Sequence, residues 1–554
     1  MNVRPILLTS LVIALSACDD GDNGMNGADG SNGLNSLVSQ TALPVLGADC
    51  AFGGIQFDSG IDQDSDGTLS AGEVSETSVV CNAGEAPEVD TALQTIITQQ
   101  ALTGDASAGR TLPSIDDPTA QLGMHLFFTK GLGGDQDSAC VTCHHPFLGG
   151  GDDLALPIGV GADVQDLLGP GRSHMTVAEG FDGGPTVPRN APTTFNVSLW
   201  DEVLFHDGRV ESLTKTAGTN GSDGPIRTPD SAFGVADPLA TGNLVAAQAR
   251  FPVTSPEEMR GFVFEDGNTN NDVRDHLELR LRGTIVPAEL ATNDWLEEFR
   301  TAFNEPAGTA DALITYDNIA AAIADYENSQ TFVDNAFSRY IAGDTAALDA
   351  DAKLGALLFF GEAGCVACHS GDFFSDEQFH VIAMPQIGRG KGNDNGVNTD
   401  DDFGRFRETG VEADRYAFRT PSLLNVADTG PFTHAGAYVS LRDVVQHHIT
   451  PRASVEDYDI SQLPAGTQTD NTTVNTLLAV DQLEALQTAG TSLLPVVDIS
   501  PSEVGYLVAF LESLTDYCLL DSQCIGRWVP NVNDNDPDDL RVRAVDQNGN
   551  PLTL

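Results

Sequence analysis

The chain has 554 residues and 41% hydrophobic content, enough for two or three ordinary cores. Its 81 acidic residues against 27 basic ones leave a formal charge of −54. That balance argues against nucleic-acid binding, where phosphates call for Lys and Arg, and fits basic partners drawn to an acidic surface.

The first 17 residues read as a leader. Met1-Asn2-Val3-Arg4 is followed by an apolar run from Ile6 to Leu15, too short to span a bilayer. Leu15-Ser16-Ala17 before Cys18 resembles a bacterial lipobox, so lipidation at Cys18 is expected; ordinary cleavage nearby is the alternative. Either route exports the protein to the periplasm or cell surface, where the only membrane contact would be the Cys18 lipid. Residues 18–46 read as a tether, because Gly21, Gly24, Gly27, Gly30 and Gly33 recur without the proline a collagen helix needs.

Residues 47–84 are expected to form a small module. Asp62-Gln63-Asp64-Ser65-Asp66-Gly67 followed by Glu73 matches a calcium loop, with oxygens expected from Asp62, Asp64, Asp66, Thr68 and Glu73. Flanking helices are not evident. Cys50 and Cys81 bracket the loop and are expected to pair, as are Cys518 and Cys524 in a tail over 517–554.

From about residue 90 apolar residues recur at helical spacing, in Gln94–Ala101, Gln121–Phe128, Ile319–Phe332, Leu348–Phe360, Leu441–His448 and Glu503–Leu514. Cys140-Val141-Thr142-Cys143-His144 returns as Cys365-Val366-Ala367-Cys368-His369. Each C-x-x-C-H run reads as a c-type haem attachment, in which two thiols bond the porphyrin and the histidine ligates iron. Zinc would need further paired ligands that the remaining cysteines do not supply. A duplication surrounds the motifs. Leu122-Gly123 through Phe128 matches Leu354-Gly355 through Phe360, Pro192–Val197 matches Pro421–Val426, and Phe205-His206-Asp207-Gly208 matches Thr433-His434-Ala435-Gly436. The expected fold is mainly α, with two cytochrome c-like haem domains in tandem over 85–345 and 346–516, behind the disulfide-stapled calcium-loop module.

Over roughly residues 110–515 the sequence resembles the bacterial di-haem cytochrome c peroxidases, including MauG-like members. The carrying residues are both haem motifs, Arg189–Thr193, Phe205–Arg209, Phe251-Pro252-Val253 through Glu258-Met259, and Phe418–Ser422. The resemblance implies two covalent haems c, a peroxidatic one ligated by His144 and an electron-handling one ligated by His369. It implies Glu258 as the distal acid–base, supported by Gln248 and Pro252. Such an enzyme uses hydrogen peroxide to form a high-valent iron species. It then oxidises a small cytochrome, a cupredoxin or a side chain of a partner protein.

Three departures from the family pattern stand out. Val160 occupies the expected place of a distal histidine, leaving the first iron open unless His174 reaches it. The inter-haem tryptophan falls on His206, with Trp200 nearby as a substitute. The sixth ligand of the second iron falls on His448, with His447 the alternative and His434 a group beside the haem edge. The resemblance also implies a separate calcium at Asn190, Thr429 and Pro431. The rival readings are a di-haem electron-transfer cytochrome without peroxidase activity and a calcium-dependent adhesin.

Overall fold

The computed structural model describes residues 35–47, 49–82, 87–391 and 401–553. The leader and the lipobox at Cys18 lie outside them. The chain divides into two units, Met1–Asn82 and Ala83–Leu554.

The first unit is a three-stranded antiparallel sheet, β1 (Asn35–Gly47), β2 (Cys50–Asp62) and β3 (Val74–Cys81), in the order β1-β2-β3. The expected tether therefore stops short of residue 46, and the module begins at residue 35 rather than 47. Glycine spacing dominates up to Gly33, but Leu37, Val38, Leu43 and Val45 beyond it suit a strand. The calcium loop is the β2–β3 connection, and Cys50–Cys81 closes the sheet.

The second unit is mainly helical and repeats one construction. Helix α1 (Pro87–Gln99) precedes both halves in sequence; α2 (Pro118–Phe128) leads to the first haem motif, and α3 (Leu244–Gln248) and α4 (Tyr316–Asn328) complete the first half. Helix α5 (Ala350–Phe360) leads to the second motif, and α6 (Leu441–Ile449) and α7 (Pro501–Glu512) complete the second half. Helix α2 crosses α4 as α5 crosses α7. Both crossings need glycine. A Cβ on Gly123 would lie 1.9 Å from the Ala322 carbonyl oxygen, and one on Gly355 would lie 1.9 Å from that of Tyr506.

The halves meet about an approximate two-fold. Asn196 and Asn425, both in the left-handed region, each donate through Nδ2 to the Phe332 carbonyl at 3.0 Å. The Asn190 amide donates to the His434 carbonyl, and the Arg419 amide to that of His206, both at 2.9 Å. Arg189 spans the seam, donating to Asp207 at 2.6 Å and to Asp402 at 2.5 Å. A split near residue 345 thus divides a repeat within one compact unit.

The C-terminal tail is part of the first half. The Val542 amide donates to the Phe128 carbonyl, and Asp538 accepts from Thr129 Oγ1 and Trp295 Nε1. Ile525, Trp528, Val529, Val542 and Ala544 are buried in the same core as α2 and α4. The expected Cys518–Cys524 disulfide is formed at the start of this segment.

Candidate active site

One cavity gathers most of the residues singled out for the first haem. Cys140, Cys143, His144, His206, Gln248, Pro252 and Glu258 all line it, and its cavity volume is about 140 Å³. The motif sits in a short 3-10 turn, Cys140–Thr142, which places both thiols and the following histidine at the pocket wall. His144 Nδ1 donates to the Gly150 carbonyl at 3.1 Å, leaving Nε2 for a metal. Burial lowers the His144 pKa and so favours the neutral ring that a metal ligand needs.

Gln248 ends α3, Pro252 opens the next turn, and Glu258 lies in a wide π turn over Pro256–Arg260. Such turns are rare and favour functional positions. Burial pushes the Glu258 carboxyl upward, while the charges of Arg209 and Lys391 oppose the shift. The Val160 amide donates to the Glu257 carbonyl at 3.2 Å, and a Cβ on Gly159 would strike the Glu258 carbonyl oxygen. The place where a distal histidine was expected is therefore buried valine packed on the turn that carries Glu258. His174 is not among the cavity residues: its Nδ1 bonds the Met175 carbonyl and its ring meets Phe181.

His206 Nε2 lies 3.3 Å from the Asn190 carbonyl. Trp200 also lines the cavity, with Arg419 stacked 3.4 Å over its ring and Phe373 edge-on at 4.8 Å. A cation over the indole opposes removal of an electron from it.

The second site is built differently. His369 Nδ1 donates to the Phe374 carbonyl at 3.0 Å, again leaving Nε2. Burial, together with the nearby His448, lowers the His369 pKa to about 4. The two helix α6 histidines separate on their hydrogen bonds. His447 uses both nitrogens, Nδ1 at 3.0 Å from the Tyr438 hydroxyl and Nε2 at 2.9 Å from the Ile382 carbonyl. His448 uses Nδ1 on the Val444 carbonyl at 2.8 Å and keeps Nε2. His434 stacks on Phe418 at 3.9 Å.

The residues fit two c-type haems. Cys140, Cys143, Cys365 and Cys368 are the free thiols among the described residues, while the other described cysteines are paired. At the first cavity Arg419 Nε is buried without a partner, and Arg209 and Lys391 line the wall. That cationic edge suits the carboxylates a haem carries.

The acidic loop between β2 and β3 gathers its carboxylates. Carboxylate oxygens of Asp62, Asp64 and Asp66 lie within 4.8 Å of one another. Asp62 accepts from the Asp66 and Gly67 amides, and Gly67 takes φ +86°. Glu73 folds back onto the Gln63 amide and onto the Ser70 amide and hydroxyl; those bonds, Ser70 first, hold it down to about 2. At the other expected calcium position, Asn190 Nδ2 donates to the Pro431 carbonyl at 2.6 Å, so those two residues adjoin; Thr429 Oγ1 bonds the Val426 carbonyl.

Glu327 and Lys391 also line the first cavity and had no motif to mark them. Aligning the duplicated helices was the available signal for Glu327.

Comparison with known proteins identifies the family. The family model for di-haem cytochrome c peroxidase matches residues 117–346, and that of a domain of unknown function, DUF7151, matches residues 35–81. The methylamine utilization protein MauG of Methylorubrum extorquens is 30% identical over 330 residues, 59% of this chain and 67% of that protein. The cytochrome-c peroxidase IdrP1 of Denitromonas iodatirespirans is 30% identical over 346 residues, 58% of this chain and 70% of that protein. The cytochrome c551 peroxidase of Pseudomonas aeruginosa is 28% identical over 331 residues, 60% of this chain and 71% of that protein.

Proposed function

This chain is a member of the di-haem cytochrome c peroxidase family, an enzyme family with peroxide as acceptor, and from that premise we propose that peroxide is reduced at the His144 site with Glu258 as acid–base. Cys140 and Cys143 would tether the first haem and Cys365 and Cys368 the second, with His144 and His369 offering Nε2 to the irons. When bound, the haems supply the iron redox chemistry and, at the first site, an open position for peroxide.

Glu258 takes a proton from one peroxide oxygen and returns it to the departing one, the work of a single positioned carboxylate. Its burial favours the protonated form, which suits it to give the proton back. Gln248 and Pro252 shape the pocket around it. Val160 keeps that side free of a competing nitrogen ligand. His448, whose Nε2 is uncommitted, would be the further ligand of the second haem, which would confine peroxide to the first site.

The electron donor is a small cytochrome, a cupredoxin or a side chain of a partner protein. Val160 in place of a histidine and a non-methionine sixth ligand favour the last. We also assign calcium to the loop at Asp62, Asp64, Asp66, Thr68 and Glu73, and to Asn190, Thr429 and Pro431. Export and anchoring through Cys18 complete the reading. No helix among the described residues is long and apolar enough to cross a membrane.

The observation that carries the proposal is the sharing of one cavity by Glu258, Gln248 and Pro252 with Cys140, Cys143 and His144. Electron paramagnetic resonance of the air-oxidised holoenzyme tests it. One high-spin ferric signal that peroxide removes, beside one low-spin signal, is expected. Glu258→Gln should slow peroxide consumption roughly 10²- to 10⁴-fold at unchanged haem content. Two low-spin signals indifferent to peroxide would instead make the protein an electron-transfer cytochrome.

A further inference from the structure

Helix α4 turns Ile323 and Glu327 toward the first cavity. Glu327 is only 6% exposed, and its Oε2 has no hydrogen-bond partner. A helix stripe on a porphyrin pocket is ordinarily apolar, because an unpartnered carboxyl is costly to bury.

The duplicated half supplies the control. Gly123 of α2 abuts Ala322 and Tyr326 of α4, and Gly355 of α5 abuts Tyr506 and Phe510 of α7. In that register Tyr326 corresponds to Phe510, and Glu327 to Leu511. The second half thus holds a leucine, 8% exposed, where the first holds an acid. The helix crossing does not require the carboxyl; it belongs to the first site.

Cys140 of the haem-motif turn and Tyr326 of α4 feel the charge of Glu327, and Cys143, His144, Arg189, His206, Arg209, Glu258, Lys391 and Arg419 share the cavity wall with it. No charged neighbour moves its pKa, which burial alone raises to about 8. At neutral pH the side chain is therefore a neutral acid and a hydrogen-bond donor, and the cavity is where its acceptor would lie.

We propose that Glu327 is the proton store of the peroxide site, passing its proton through cavity water to Glu258 and recovering one from solvent after each turnover. The inference rests on the peroxide reading above. Reduction of peroxide follows H2O2 + 2 H+ + 2 e− → 2 H2O, with electrons from the donor named there. Glu258 only moves a proton from one oxygen to the other, so both consumed protons must enter the cavity. Glu327 supplies one as its acid O–H breaks, leaving a carboxylate until solvent refills it.

The test uses holoenzyme as wild type, Glu327→Gln, Glu327→Asp and Glu258→Gln. Infrared H2O-minus-D2O difference spectra of resting enzyme should show a protonated-carboxyl C=O band, and turnover of peroxide with an added reductant, which consumes both protons, should bleach it. That band should be absent in Glu327→Gln, shifted in Glu327→Asp and retained in Glu258→Gln. In stopped-flow, Glu327→Gln should consume peroxide about 100-fold more slowly, the low end for a proton-transfer group. Added small weak acids should restore its rate, and Glu327→Asp should need none. A band missing from wild type, or lost in Glu258→Gln instead, overturns the proposal. So does a Glu327→Gln rate equal to wild type. If Glu327→Gln does not fold, an unshifted band in Glu327→Asp overturns it equally. Slow Glu258→Gln beside unaffected Glu327→Gln defeats only the proton store, whereas an unaffected Glu258→Gln defeats the peroxide reading itself.

Discussion

Around His144 and around His369 the chain repeats the same supports. Each has a helix crossing made possible by a glycine, Gly123 or Gly355. Each histidine gives Nδ1 to a backbone carbonyl, and each half sends an asparagine to the Phe332 carbonyl. The halves differ in what lies opposite. The first has a cavity with Glu258, Gln248, Pro252 and Glu327 in its wall. The second has His448 with Nε2 uncommitted. Duplication thus conserved the means of holding an iron and changed the few side chains that decide whether a second molecule reaches it.

The strongest way to break the comparison is to remove one anchor at a time. Cys140→Ala with Cys143→Ala should leave one haem per chain by intact mass and abolish peroxide consumption. Cys365→Ala with Cys368→Ala should also leave one haem but retain the high-spin ferric signal of the first site. Equal loss of both signals in either variant would mean that the sites do not assemble independently.

Next in size is the exchange of site character. His448→Ala should convert the low-spin signal of the second haem to high-spin, making that site resemble the first. His447→Ala should leave it low-spin, since the ring spends both nitrogens on Tyr438 and the Ile382 carbonyl. The reverse pattern would assign the sixth ligand to His447.

The seam between the halves is the next target. Arg189 holds Asp207 well below the usual carboxylate range, and Asp402 likewise, against the upward pull of burial. Depressed carboxylates contribute stability that is full above their unfolded pKa, near 4, and lost as pH falls through the folded values. Arg189→Met leaves the buried Asp402 carboxyl without its arginine and Asp207 with Arg209 alone, and should cost about 3–5 kcal/mol at neutral pH. The gap between variant and wild type should narrow on acidification, read from melting temperatures at pH 7 and pH 4. A gap that widens in acid would contradict the pairing.

The smallest effect concerns the N-terminal sheet. Calcium at about 100 times its dissociation constant would stabilise that unit by ~2.7 kcal/mol. Glu73→Gln should lose most of this shift while leaving both haem spectra unchanged. A calcium-independent melting transition in the wild type would remove the ion from the loop.

Several features were legible without coordinates because they depend on residues close in sequence. Two thiols and a histidine within five residues are one local turn, and the acidic loop from Asp62 to Glu73 closes on itself. Periodicity located several helices for the same reason, and Gln121–Phe128 and Leu441–His448 lie within α2 and α6, but it missed Asn270–Arg282 and Thr472–Thr488, the latter the longest helix among the described residues. Strand β1 escaped because the glycine repeat ending at Gly33 masked the change of composition that follows. The tail escaped because its partners, Phe128, Thr129 and Trp295, are more than two hundred residues away.

By itself the amino-acid order determined two haem motifs, their duplication, the disulfide pairs and a family pattern that singles out Glu258. Only the tertiary structure decided which histidine of His447 and His448 keeps a free nitrogen. Adjacent helical residues point about 100° apart, so what each one meets depends on distant chain. It also decided that Glu327 faces the first cavity without a partner while Leu511 occupies the equivalent place in the second half. Burial and missing partners come from packing between segments, and they make two similar haem motifs into unlike sites.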